Sequence, residues 1–121
     1  MPFKQVTIIG TGLIGGSLGL ALKKRRLVGR VVGCDRVPVL QRAKDCGAVD
    51  AGTANPADAV RGSDLVVLAT PVLAILDHME RLAPVLPKDT LVADVSLIAV
   101  EADLVGHVPL APRLRLDLTL G

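Results

Sequence analysis

Aromatic side chains are almost missing from this chain of 121 residues: Phe3 stands alone, with no Trp and no Tyr. The core must therefore be aliphatic, and binding of RNA or single-stranded DNA on stacked aromatic platforms is not expected. Cysteine is scarce as well, with only Cys34 and Cys46. They form no C-x-x-C pair and no His-Cys cluster accompanies them, so neither a disulfide framework nor a metal site is expected. Both are read as buried, reduced thiols of a cytoplasmic protein. No apolar run reaches the roughly 18 residues of a membrane span. Met1-Pro2-Phe3-Lys4 leads straight into a strand, and no signal peptide is expected there. An excess of one charge is lacking too, the net value being +2. The one basic run, Lys23-Lys24-Arg25-Arg26, falls at the expected end of a helix, where cations complement the helix dipole. No nucleic-acid or membrane partner follows from it.

What the chain does have is an apolar half and well-placed glycines. Its length suits one domain. Val6 to Ile9 is rich in β-branched residues and suits a strand buried on both faces. Gly10, Gly12 and Gly15 follow in G-x-G-x-x-G spacing, and Ile14, Leu18 and Leu22 then recur every four residues, as on a helix. The glycines thus sit where a strand turns into a helix. Gly10 permits the tight turn, Gly12 admits a pyrophosphate close to the backbone, and Gly15 lets helix and strand pack closely. The N–H groups at the helix start and the helix dipole both favour phosphate. Arg30 to Asp35 reads as the next strand, and Asp35 stands 20 positions after Gly15, where an acid accepts hydrogen bonds from an adenosine ribose. The predicted cofactor-binding set opens with Gly10, Thr11, Gly12, Leu13, Ile14, Gly15 and Asp35.

Further along, the pattern alternates. The first helix is expected over about Leu13 to Arg26, with Gly29 as the stop before the second strand. A second helix starts at Pro38 and buries Leu40, Ala43 and Cys46 as a stripe, with Gly47 just past its end. Ala48 to Ala51 reads as a minimal strand. Asn55 caps a short helix through Ala59 that ends at Gly62. Asp64 to Ala69 is a buried strand stopped by Thr70-Pro71, and Val72 to Leu82 is helical. Pro84 and Pro87 mark a loop, and Thr90 to Val95 is another strand. This order predicts an α/β, Rossmann-type, doubly wound and mostly parallel sheet. The tail from Arg113 to Leu120 alternates polar and apolar residues, predicting an added C-terminal strand that either extends the sheet or pairs two copies into a homodimer.

In open parallel sheets ligands lie beyond the carboxyl ends of the strands. That places Ala69, Thr70 and Pro71 near the nicotinamide half of a dinucleotide, and Asp94-Val95-Ser96 nearer a substrate. Asp35 favours NAD because a carboxylate repels a 2′-phosphate, while the adjacent Arg36 keeps NADP as the alternative. His78, among Asp77, Glu80 and Arg81, is assigned to a solvated helix face. His107, after Gly106 in a loop, is the better candidate for the base that takes a substrate hydroxyl proton.

Val6 to Ser17 with Gly33-Cys34-Asp35-Arg36, Ser63 to Val72, and Leu91 to Val95 together closely resemble prephenate dehydrogenase and its arogenate-using relatives. The resemblance covers roughly residues 3 to 95 of the chain. It implies NAD(P)-dependent oxidative decarboxylation of prephenate to 4-hydroxyphenylpyruvate, in tyrosine biosynthesis. It also implies catalytic roles for a serine after the Asp-Val of the fifth strand, matched by Ser96, and for a loop histidine, echoed by His107. The chain departs from the family after Val95. Asp94-Val95-Ser96-Leu97-Ile98-Ala99 lacks the family lysine, and Val108 intrudes between His107 and Pro109. The reading is therefore one NAD(P)-binding domain over 1–121, family-like over 1–95 and divergent over 96–121, without the helical substrate domain. Such a piece is expected to bind cofactor with little turnover, with prephenate or arogenate as substrate of a full enzyme. The competing readings are a non-catalytic NAD(H)-binding or assembly module and a fragment of a related β-hydroxyacid or pyrroline-carboxylate reductase. A methyltransferase start is disfavoured by the third glycine and the Ala-Thr-Pro strand end.

Overall fold

Val6, Thr7, Ile8 and Ile9 are almost wholly shielded, none more than 2% exposed. Side chains that point alternately to opposite faces can all be buried only in a strand covered on both sides. They belong to the central strand of a computed structural model that describes residues 2–94. Its elements run β1 (Phe3–Ile9), α1 (Leu13–Lys24), β2 (Val28–Cys34), α2 (Val37–Asp45), β3 (Ala51–Thr53), α3 (Pro56–Ala59), β4 (Leu65–Leu68), α4 (Val72–Leu82) and β5 (Leu91–Asp94). All described pairings are parallel, in the order β3-β2-β1-β4-β5. The α/β doubly wound architecture expected from the sequence is therefore present. The predicted C-terminal strand over 113–120 and the homodimer through it lie outside the described residues.

Two aliphatic layers sandwich the sheet. On one face Val6, Ile8, Val31 and Val67 pack with Ala43 of α2 and with Leu18 and Leu22 of α1. On the other, Ile9, Val32, Val66 and Leu68 pack with Ala59, Ile75 and Leu82 from α3 and α4. Each fully buried Val or Ile contributes about 1.5–3 kcal/mol relative to exposure.

Four local expectations need correction. Gly29 is no stop, because it lies inside β2. The turn comes earlier, at Arg26 with φ 56°, and Leu27 N–H returns to Leu22 O. The third strand starts at Ala51 rather than Ala48, since Ala48 and Val49 are spent packing beneath α1 and α2. Ile14 is 52% exposed, and α1 turns Gly15 and Gly19 to the sheet instead. Cys46 is exposed, not buried. It caps α2 after the last helical turn, so the buried stripe is Val39, Leu40 and Ala43.

The amino ends of the strands are tied by side chains. The Asp64 carboxylate accepts the N–H groups of Lys4 and Gln5. The Thr7 hydroxyl donates to Ala59 O at 2.7 Å and meets the Ser63 hydroxyl. Gln5 Nε2 donates to Ser63 Oγ at 3.1 Å and to Arg61 O at 2.9 Å. Asp50 does comparable work on the other side of β1, taking Lys23 Nζ at 2.6 Å and Val31 N–H at 2.8 Å.

Candidate dinucleotide site

The chain steps from β1 outward to β2 and β3, then returns to place β4 on the other side of β1. Between β1 and β4 the winding reverses, and the carboxyl ends of these strands open a crevice there. The loop after β1 is the glycine turn, and the loop after β4 is Ala69-Thr70-Pro71.

The glycines divide their tasks. Gly10 has φ +95°, a conformation that side-chain-bearing residues avoid. A Cβ on it would stand 2.8 Å from both Ala69 O and Thr70 Cγ2, so the two loops touch at this point. A Cβ on Gly15 would run into the Gly10 carbonyl oxygen. Gly12 differs: a Cβ there meets no protein atom within 4 Å. The protein does not need a glycine at position 12, so the expected clash arises only against something bound outside it.

The start of α1 is bare. Gly12 is its N-cap residue, no side chain caps it, and its first turn holds no acid. The first N–H groups of a helix have no intrahelical partner, and here no side chain substitutes. The Thr11 hydroxyl beside them is buried and lacks a hydrogen-bond partner among the described residues. A buried polar atom left unmatched in this way marks a place where a polar ligand fits. Asp35 sits at the end of β2, half-buried. Its Oδ2 accepts Thr11 N–H at 2.8 Å and its Oδ1 accepts Arg36 N–H at 2.7 Å. The acid thus holds the glycine turn against β2. A carboxylate has about four acceptor directions, so it keeps capacity for a ribose diol. These groups together fit a pyrophosphate joined to a ribose.

The remaining predicted residues fall around this centre. Leu13 is 88% exposed and Ile14 juts beside it. Arg36 is exposed and serves as the N-cap of α2. Ala69 N–H donates to Ile9 O at 2.8 Å, and Pro71 begins α4. Ser96 and His107, the candidate catalytic pair, lie outside the described residues. Among the described residues no cluster of His, Cys, Asp or Glu is arranged to hold a metal, and no helix is long and apolar enough to cross a membrane. Cys34 lies buried next to Asp35; burial first, then that carboxylate, pushes its thiol up to about 11. It is a neutral packing group at ordinary pH.

One residue was misplaced by sequence reasoning. His78 is not on a solvated face: it is half-buried, with Nδ1 3.3 Å from Thr70 Oγ1. The signal was available in the spacing, because Ile75 and Leu82 stand three before and four after it and both are buried.

Known proteins share this fold. A family profile described as "Prephenate dehydrogenase, nucleotide-binding domain" matches residues 18–107, beginning just past the glycine turn. The prephenate dehydrogenase of Lactococcus lactis subsp. cremoris is 33% identical over 91 residues, covering 73% of this chain and 25% of that protein. The cyclohexadienyl dehydrogenase of Zymomonas mobilis is 37% identical over 99 residues, covering 81% of this chain and 34% of that one. The crystal structure of prephenate dehydrogenase from A. aeolicus, in complex with hydroxyphenyl propionate and NAD+, superposes with a TM-score of 0.70 at 30% identity, over 78% of this chain and 34% of that one. The chain therefore spans between a quarter and about a third of the length of these relatives. With the profile covering most of its residues and the fold in agreement, the chain belongs to the prephenate dehydrogenase nucleotide-binding domain family.

Proposed function

We propose that this chain is the cofactor-binding part of an NAD+-dependent dehydrogenase acting on prephenate or its amino analogue arogenate. The observation that carries the reading is the uncapped, acid-free start of α1 at the crevice between β1 and β4. The N–H groups of the glycine turn would hold the diphosphate, and Asp35 would take the adenosine ribose hydroxyls. Ala69, Thr70 and Pro71 would border the nicotinamide half. When bound, the cofactor supplies a hydride acceptor, and loss of carbon dioxide from prephenate follows as the ring becomes aromatic. The chain's own part is to bind, orient and shield the cofactor, while Ser96 and His107 would address the substrate hydroxyl. NAD is favoured over NADP because the Asp35 carboxylate would face a 2′-phosphate, which it repels. The adjacent, exposed Arg36 is a group that favours the opposite choice.

Calorimetric titration with NADH and NADPH tests this. NADH is expected to bind at least about tenfold more tightly, a difference near 1.4 kcal/mol. Tighter NADPH binding would reverse the cofactor assignment, and absence of heat with both would end the dinucleotide reading. Added prephenate and arogenate, followed through the absorbance of the reduced cofactor, separate the two substrates in the full-length protein.

A further inference from the structure

Among the described residues, the buried hydroxyl side chains are those of Thr7, Ser63 and Thr11. Thr7 and Ser63 meet each other, and Thr7 also donates to Ala59 O at 2.7 Å. Thr11, only 4% exposed, differs: its Oγ1 has no partner among the described residues. The fold thus matches its buried hydroxyls at the amino ends of the strands and leaves this one, at the carboxyl end of β1, unmatched. Such a group lowers the stability of the chain that carries it.

Local geometry keeps it so. The Thr11 N–H is held by Asp35 Oδ2 at 2.8 Å, which fixes its backbone against the end of β2. Its methyl lies over Gly33. A Cβ on Gly33 would stand 2.7 Å from that methyl, 3.0 Å from Val49 Cγ1 and 3.2 Å from Leu40 Cδ2. The methyl therefore fills an aliphatic corner, and exchanging it with the hydroxyl would bury the oxygen among carbons. Nor does the hydroxyl cap α1. Capping belongs to the N-cap side chain, and the N-cap is Gly12, one position further on. Thr11 borders, with Gly12, Leu13 and Gly16, the open cleft between α1 and α2, so it stands on the side of the bare helix start.

We propose that the Thr11 hydroxyl finds its partner in the bound dinucleotide, donating its proton to a diphosphate oxygen, so that this one group trades stability of the free chain for affinity. This rests on the cofactor reading above. A hydroxyl can donate or accept, whereas a phosphate oxygen only accepts, so the direction of the bond follows from the ligand's chemistry. A hydrogen bond to a charged acceptor is shorter and stronger than one between neutral groups. The free chain bears the unmatched hydroxyl, and binding removes that cost while gaining the bond. The methyl and the hydroxyl then have separate tasks: the first locks the glycine turn onto β2, and the second reads the anion.

Two readouts on the same variants test this: melting without ligand, followed by circular dichroism, and calorimetric dissociation constants for NADH and ADP-ribose. Thr11→Val keeps the methyl over Gly33 and removes only the hydroxyl. It should melt about 3–6 °C above wild type. It should also bind both ligands about tenfold more weakly or worse. Thr11→Ser keeps the hydroxyl and loses the methyl, so it should melt below wild type yet bind both ligands within about threefold of it. The loss in Thr11→Val should be equal for NADH and ADP-ribose, because both carry the diphosphate. A loss confined to NADH would move the contact to the nicotinamide end and overturn the assignment. A valine variant that melts no higher than wild type has lost a hydroxyl already matched in the free chain, and one that binds like wild type has lost a hydroxyl the ligand does not use. Either result overturns the inference while leaving the cofactor reading intact. If the valine variant does not fold, Thr11→Ser and Thr11→Ala, which differ only in the hydroxyl, repeat the comparison. Alanine should bind about tenfold more weakly than serine, and equal constants overturn the proposal. Failure of the wild type to bind either ligand overturns the cofactor reading, and this inference with it.

Discussion

At the scale of single residues, the two thiols illustrate how strongly surroundings govern chemistry. Cys34 is buried beside a carboxylate, with its thiol pushed up to about 11, whereas Cys46 is exposed at the end of α2. Thiolate is the reactive form, so a disulfide reagent at pH 8 should modify Cys46 rapidly and Cys34 only on unfolding. Stopped-flow absorbance should show one fast thiol per chain, and Cys46→Ser should remove that phase. Asp50 offers a second case. Burial alone would raise its pKa, but the hydrogen bonds from Lys23 and Val31 and the charges of Lys23 and Arg30 outweigh it and hold the carboxyl below its usual value. A carboxyl whose folded value is depressed stabilises the fold above its unfolded value, near 3.9, and loses that contribution as pH falls through the folded value. The Asp50 side chain is 38% exposed, so solvent screens the pair. Asp50→Asn is accordingly expected to lower the melting temperature at pH 7 by only about 2–4 °C. The gap to wild type should close below the depressed value in melts followed by circular dichroism; a gap that stays constant at low pH would contradict the linkage.

At the scale of elements, α1 is the instructive one, because its glycines look alike in sequence and differ in space. Glycine inside a helix is about 1 kcal/mol worse than alanine, so intrinsic propensity alone argues against Gly15, Gly16 and Gly19 in one helix. Two of them are explained by contact: a Cβ on Gly15 would enter the Gly10 carbonyl, and one on Gly19 would enter the Ala48 carbonyl. A Cβ on Gly16 would meet only Thr11 O, at an ordinary 3.5 Å, and one on Gly12 meets nothing. Gly15→Ala and Gly19→Ala should therefore destabilise by about 2–4 kcal/mol or prevent folding. Gly16→Ala should stabilise by up to about 1 kcal/mol. Gly12→Ala should melt like wild type yet bind NADH more than about tenfold more weakly, if the diphosphate lies where proposed, in the space its Cβ would enter. Melting curves paired with NADH titrations read all four, and a Gly12→Ala chain that binds normally would remove Gly12 from the site. The same helix marks what could be read in advance. The spacing of Gly10, Gly12 and Gly15, the apolar strand before them and Asp35 after them were legible because each is a local pattern. The reversal of exposure between Ile14 and Gly19 was not, because periodicity names a stripe of apolar side chains and cannot see that the sheet comes too close for them. His78 was misread for a related reason: its charged sequence neighbours outvoted its spacing from Ile75 and Leu82. Asp50 and the Thr7–Ser63–Gln5 cluster join residues distant in sequence, and no local pattern records such a meeting.

At the scale of the molecule, the sheet is polar along its strands. Its amino edge is closed by the chain's own groups: Asp64 accepts from Lys4 and Gln5, Asp64 N–H returns to Gln5 O at 2.9 Å, and Thr90 Oγ1 donates to Ser63 O at 2.8 Å. Its carboxyl edge carries the bare helix start, the Thr11 hydroxyl that has no partner among the described residues, and the loop contact between Gly10 and Thr70. Polar groups matched throughout one end, with a bare helix start and an unmatched hydroxyl at the other, are what a parallel sheet needs if it folds around one end and binds with the other. Hydrogen exchange read by mass spectrometry can separate the two roles. At an NADH concentration about 100 times its dissociation constant, binding adds about 2.7 kcal/mol to global stability, so amides that exchange only by complete unfolding should slow throughout the sheet. Amides of Gly12 to Gly15, at the bare start of α1, are expected to exchange by local opening in the free chain and should gain protection beyond their neighbours. Those of Lys4, Gln5 and Asp64 are already held by the folded chain and should gain none beyond the global amount. Extra protection gathered at the Gln5–Asp64 edge would mean that the ligand binds at the opposite end of the strands, and the bare start of α1 would then need another explanation.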